Sequence, residues 1–169
     1  RFPLLYPASD STRQALALAT ADMVRPLGIT MELAGKSWDD IKREMHSSAV
    51  MFGWGSHDPI EAYNLFHASY AGKEYYNPGF YQNSTVSAHL DAAERSTSFQ
   101  ASLPHWKKAQ WDGKTGYGMK GDAAWAWLVN LDHLYFVDKC LDIGPRQIEP
   151  HGHGFPATWN MQDWKWTCK

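Results

Sequence analysis

The sequence has two cysteines, Cys140 and Cys168, and no Cys-x-x-Cys pair, so a thiolate zinc knuckle or a dithiol redox motif has nothing to be built from. The two could form one disulfide in an oxidising compartment, and their number alone leaves that open. Long apolar runs are missing too: none approaches the ~18 residues of a membrane span. Charge of one sign is not in excess. Sixteen basic and 18 acidic residues leave a net charge of −2 and a pI near 6.5, which gives no electrostatic case for nucleic acid. No His-Glu-x-x-His helix and no Gly-x-Ser-x-Gly elbow occurs, and "GKTGYGMKG" lacks the spacing of a phosphate loop. Glu61, Asp91 and Glu94 fall on expected helices as solvated faces. Repeats and low-complexity tracts are absent. Nothing assembles into a catalytic constellation, and the chain is expected not to be an enzyme.

Aromatics, by contrast, are plentiful. Nine Trp, eight Tyr and seven Phe make up 14% of the chain, which suits an aromatic-lined cleft or a thick core. Hydrophobics at 44% and charges at 20% over 169 residues fit one globular domain spanning 1–169, with an irregular Pro-, Gly-, His- and Trp-rich tail over 143–169. The opening "RFPLLYPASD" has neither an initiator Met nor the regions of a signal peptide, and reads as the start of a mature or cut-down chain.

Periodicity sets out the first third. Phe2, Leu4 and Tyr6 alternate as a strand up to Pro7. Asp10 or Ser11 caps a helix with Leu16, Ala19, Met23 and Leu27 at helical spacing, stopped by Pro26 and Gly28. Ile29, Met31 and Leu33 alternate as a second strand. Ser37 caps a helix in which Trp38, Ile41 and Met45 share a face. Ala49 to Phe52 is apolar without alternation, as in a strand buried on both faces. Strand, helix, strand, helix, strand implies parallel pairing with right-handed crossovers. Ligands of such sheets bind beyond the carboxyl ends of the strands, which is where Trp54 to Asp58 follow. Asp58-Pro59 predicts a helix start. Two further helices are expected over 86–96 and 99–111, with Pro104 marking a restart in the second. Residues 111–122 read as a flexible loop, and "AWAWLVNLDHLYFV" has strand character.

Two sets of residues could hold a ligand. His151 and His153, one residue apart, would point to the same side of an extended segment and could chelate a metal with His57, His133 or Asp58 as third ligand. A His-containing turn hydrogen bonded to backbone is the other reading of that pair. Trp54 and His57 at the end of the third strand suit contact with a polar ligand, whereas Asp58 suits capping the next helix. A metal-binding protein or metal-dependent enzyme using His151 and His153 therefore stays open, as does a carbohydrate-binding module stacking sugars on exposed Trp.

The stretch "FPLLYPASDSTRQALALATADMVRPLGITMELAGKSWDDIKREMHSSAVMFGWGSHDP" resembles the extracytoplasmic solute-binding proteins of peptide/nickel-type ABC transporters, bacterial solute-binding family 5. The likeness lies in the order of motifs: a helix ending in "LGI", an acidic-rich helix, then a strand ending in a GW…DP loop. "NPGFYQNSTVSAHLDAAE", "AWAWLVNLDHLYFVDKCLDIG" and "EPHGHGFPATWNMQDWKW" extend it over nearly the whole chain. The resemblance implies an α/β fold, the C-terminal lobe of a type II periplasmic-binding-protein architecture with a mixed sheet flanked by helices. It implies a periplasmic or membrane-anchored extracytoplasmic binder that delivers a small molecule or peptide to an ABC permease, with the partner lobe missing. Homodimerisation through the exposed lobe face is a further expectation. Trp54 matches the family's pocket Trp, and Tyr81 and Asn83 match its Y-x-N segment. "GSH" stands where peptide binders place an acid for the ligand's amino group, which favours a nickel complex or another non-peptide ligand, contacted by His57.

Overall fold

The computed structural model describes residues 1–54, 58–131, 134–145 and 158–168. They form two compact units, Arg1–Gly53 with Pro59–Ala126, and Trp54–Asp58 with Trp127–Lys169.

In the first unit, β1 (Phe2–Pro7), β2 (Met31–Lys36) and β3 (Ala49–Val50) make a parallel sheet in the order β2-β1-β3. Phe2 pairs with Met31 and Pro7 with Lys36, while Leu4 and Leu5 pair with Ala49 and Val50. The crossovers are α1 (Ser11–Val24) and α2 (Trp38–Glu44), as the alternating pattern requires. Leu4 and Leu5 point to opposite faces of the central strand, and both are buried. Leu4 packs with Ala17 of α1 and with Met51; Leu5 packs with Ile41 of α2 and with Met45. Each face of the sheet thus has its own helix.

Both helices start where their caps are. Asp10 accepts from the Arg13 N–H and Ser37 from the Asp40 N–H, with Asp39 and Asp40 in the first turn of α2. Three expectations are corrected. The second strand begins at Met31, two residues beyond Ile29. α1 buries Ala17 and Ala21, while Met23 and Leu27 are 78% and 75% exposed. The small alanines let the helix lie close on the sheet, and the large side chains are left outside. The third strand is Ala49–Val50 and only half-buried, with burial concentrated at Met51 beyond it.

α3 (Ile60–Phe66) has Pro59 rather than Asp58 at its N-cap position. α4 (Ser84–Glu94) is capped by Asn83 and α5 (Phe99–Gln110) by Ser98. α5 runs through Pro104 without a restart. Residues 111–122 are a tight loop rather than a flexible one. Tyr117 and Gly118 donate N–H bonds to Ala109 and Gln110, satisfying carbonyls at the end of α5. Buried Phe66 of α3 stacks on Tyr117 with centroids 4.0 Å apart and meets Tyr81 and Trp125.

The second unit contains the antiparallel pair β4 (Leu141–Asp142) and β5 (Lys165–Trp166). The Cys140–Cys168 disulfide ties the same ends together. Buried Asn160 donates to the Ile143 carbonyl and accepts from the Trp164 indole, fixing the turn before β5. The described residues over 127–139 form neither helix nor strand, contrary to their strand-like pattern. Leu134 and Phe136 are 79% and 98% exposed there. A strand needs a neighbouring edge to satisfy its ladder, and the described residues supply none to this segment.

Candidate functional site

Parallel connections bring the starts of α1 and α2 and the chain after β3 to one edge, the carboxyl edge of the sheet. Each supplies a side chain to a cluster. From α1 comes Arg13, held by an ion pair with the Asp10 carboxylate. From the first position of α2 comes Trp38, with the Arg13 guanidinium 5.8 Å from its ring centroid. Phe52 comes from beyond β3 and meets Trp38 edge-on at 5.6 Å. Tyr75, from the loop after α3, closes the group. It meets Trp38 edge-on at 6.0 Å, stacks on Phe52 at 6.2 Å and donates its hydroxyl to the Trp38 carbonyl. Lys42 lies 5.6 Å over the Tyr75 ring and pairs with Glu74 at 3.3 Å.

The N-cap bond from the Arg13 N–H, together with the guanidinium, holds the Asp10 carboxyl below the usual carboxylate range. It therefore stays ionised and keeps Arg13 oriented. The arrangement offers an aromatic wall with one oriented cation, which suits binding.

Of the residues expected from sequence, Tyr81 and Asn83 stand just before α4. Trp54, half-buried, follows Gly53 in the chain and belongs to the second unit. His57, His133, His151 and His153 lie outside the described residues. Among the described residues, no three His, Cys, Asp or Glu side chains are grouped to hold a metal ion. Tyr81 and Asn83 do come together, in a polar network. The Tyr81 hydroxyl donates to Asp122 Oδ2 at 2.5 Å, and Asn83 Nδ2 donates to the same oxygen and to Thr115 Oγ1, each at 2.8 Å. Asn83 Oδ1 accepts from the N–H groups of Thr85 and Val86. Burial and the Asp122 bond raise the Tyr81 phenol, while the hydroxyl and amide donors lower the Asp122 carboxyl.

Sequence reasoning missed Arg13, Trp38 and Tyr75 as site residues. A usable signal was present for the first two, since each opens a helix just after a parallel strand. Tyr75 had none, because only the tertiary fold brings its loop to the edge.

The first unit's parallel sheet with a helix on each face is a known arrangement. NikZ from Campylobacter jejuni, solved in complex with Ni(L-His), matches 97% of this chain with 33% of its own at a TM-score of 0.70 and 20% identity. The oligopeptide-binding protein AppA from Bacillus subtilis, in complex with a nonapeptide, matches 99% of the chain with 32% of its own at 0.62 and 14% identity. The fold is that of a periplasmic-binding-protein-like lobe. MppA, a periplasmic murein tripeptide binding protein in its unliganded open form, matches 64% of the chain with 21% of its own at 0.51 and 19% identity. By sequence, Protein XP55 of Streptomyces lividans is 32% identical over 150 residues, which is 88% of this chain and 27% of that protein. The chain spans about a quarter of that relative and about a third of NikZ and AppA. No protein-family model matches it.

Proposed function

We propose that the chain is the C-terminal lobe of an extracytoplasmic solute-binding protein, of the peptide/nickel type, that captures a small molecule or peptide for an ABC permease and performs no chemistry. The match of 97% of the chain to one third of NikZ at a TM-score of 0.70 carries the reading. The carboxyl-edge cluster of Arg13, Trp38, Phe52 and Tyr75 supports it, because an aromatic wall with an oriented charge is a binding surface. The Cys140–Cys168 disulfide favours an oxidising, extracytoplasmic compartment. Capture would follow from hinge closure of two lobes over the ligand. Trp54, His57, Tyr81 and Asn83 are further residues proposed for ligand contact. The α-helices among the described residues speak against an all-β carbohydrate-binding module.

With one lobe present, half of the enclosing surface is missing, so affinity should be poor. Isothermal titration with Ni(L-His) and with short peptides is expected to show nothing tighter than millimolar, while NMR shifts at millimolar ligand gather on Trp38, Phe52 and Tyr75. Micromolar binding by this chain overturns the half-site reading. Shifts that avoid the carboxyl edge overturn its assignment as the ligand face.

A further inference from the structure

We infer that the last turn of α5 and the loop after it form a docking face for an anionic phospholipid bilayer, an interaction separate from the ligand capture proposed above. The inference starts from which cations of the first unit lack a counterion. Lys107, Lys108, Lys114 and Lys120 are exposed, and among the described residues none of them has a carboxylate within ion-pair reach. Every other lysine and arginine of that unit is paired with a carboxylate, apart from Lys73, which lies 5.9 Å over the Tyr70 ring. The unpaired positive charge is therefore gathered in one stretch of chain. Asp112 is the one carboxylate between Phe99 and Gly121, and it is turned toward its own loop. Its Oδ1 accepts from the Lys114 and Thr115 N–H groups at 2.7 and 2.8 Å.

The fold brings these lysines to one helix end. α5 buries Ser102 and Ala109, which leaves Pro104, Lys107 and Lys108 exposed at helical spacing, with Trp111 one turn beyond Lys107 at the C-cap. The loop then turns back on that end. The Asp112 N–H donates to the Thr115 carbonyl across the turn that carries Lys114, and the Gly118 N–H donates to the Gln110 carbonyl. The Gly121 N–H donates to the Gly118 carbonyl across the next turn, which carries Met119 and Lys120. Lys107 and Lys108 also complement the helix dipole from the last turn. Lys114 and Lys120 lie beyond the helix, so the dipole does not account for them.

The neighbouring side chains select the occupant. Trp111 is 37% exposed and Met119 72%, so apolar tips stand among the lysines. A lysine's long stem lets its ammonium stay with headgroup phosphates while indole and thioether enter the headgroup boundary. A protein partner fits less well, because lysine is depleted from protein interfaces. Nucleic acid is read by planar guanidinium forks, and the stretch from Ser96 to Asp122 has no arginine.

The test is cosedimentation of the whole chain with vesicles of equal parts phosphatidylglycerol and phosphatidylcholine, and with vesicles of phosphatidylcholine alone. Binding is expected to the first only, weakening as sodium chloride is raised. The Lys107→Gln, Lys108→Gln double variant should bind roughly 25-fold more weakly, about fivefold for each lysine near an anionic surface. Arg25→Gln with Lys73→Gln removes the same charge elsewhere in the unit and should bind as the parent does, both variants keeping folded NMR spectra. With bicelles of the anionic composition carrying a headgroup nitroxide, the Trp111 indole and Met119 methyl signals should broaden first. No binding to the anionic vesicles, equal losses from the two double variants, or broadening centred on Leu134 and Phe136 overturns the docking face. Binding to single-stranded DNA without binding to the vesicles overturns it as well. None of these outcomes bears on the Ni(L-His) and peptide titrations, which test ligand capture separately.

Discussion

At Asn83 every polar atom of the side chain is matched. Two helix N–H groups point at Oδ1, and Nδ2 donates to Thr115 and Asp122. Asp122 gathers Tyr81 as well, so one exposed carboxylate joins the segment before α4 to the loop after α5. Its contribution depends on being ionised. Because its folded value is depressed below the ordinary one near 3.8, the stabilisation is present at neutral pH and is lost as pH falls through the lowered value. Asp122→Ala should therefore lower stability at pH 7 by roughly 1 kcal/mol, a figure kept small by solvent exposure. Urea midpoints of the two proteins should converge as the pH is taken below 3. Midpoints that differ equally at both pH values would show that the loss is packing. A second consequence concerns Tyr117, stacked on Phe66, where burial pushes the phenol to about 12. Alkaline difference spectroscopy should find it ionising well after the exposed tyrosines, and Phe66→Ala should bring it down.

Among the elements, the loop over 111–122 gives the sharpest prediction. It folds against the end of α5 so closely that a Cβ at Gly116 would lie 2.1 Å from the Gln110 carbonyl oxygen, and one at Gly121 would lie 2.2 Å from the Gly116 oxygen. Backbone cannot yield as a flexible side chain does, so Gly116→Ala should cost about 3 kcal/mol or more, the upper range for overpacking. Gly113 has φ +105° with open space around it, so its alanine variant meets backbone strain alone, about 1–2 kcal/mol. Equal losses at the two positions in chemical denaturation would contradict the tight packing. The same loop shows what pattern reading misses: a run of Gly, Lys and Asp is flexible by composition, yet these glycines are there because neighbouring backbone leaves no room. α1 carries a related lesson. Helical spacing fits both of its faces, and the alanines, which allow closest approach, are the ones inside. By contrast, the parallel order and the Asp10 and Ser37 caps were legible, because each is a local or periodic signal, whereas the alternation of Phe2, Leu4 and Tyr6 missed the burial of Leu5 beside Leu4. The Arg13–Trp38–Tyr75 cluster was not, since residues this far apart in sequence meet only through the folded topology.

At the scale of the whole chain two features of residues 127–168 carry predictions. The first is the disulfide, which links positions 28 residues apart around the short β4–β5 pair. On loop-closure grounds it contributes about 3–4 kcal/mol. Reduction should therefore abolish exchange protection at Thr167, whose N–H and hydroxyl both donate to the Cys140 carbonyl, and survival of that protection would show the ribbon stands without it. The second is the set of exposed apolar side chains among the described residues of 127–131 and 134–137. Val129 and Leu131 are each 55% exposed, Leu134 79% and Phe136 98%. Isolated apolar residues on a surface are ordinary, but a contiguous band of them marks a surface that something covers. In the proposed full-length protein the cover is the remainder of the chain, which accounts for about two thirds of NikZ and AppA. Without it, these exposed apolar side chains have to meet either water or a second copy. The isolated chain should therefore associate reversibly at micromolar concentration in sedimentation velocity. A Leu134→Lys, Phe136→Asp double variant should remain monomeric, with the fold of the first unit unchanged by NMR. A chain that stays monomeric at high concentration without the substitutions would overturn self-association through these side chains.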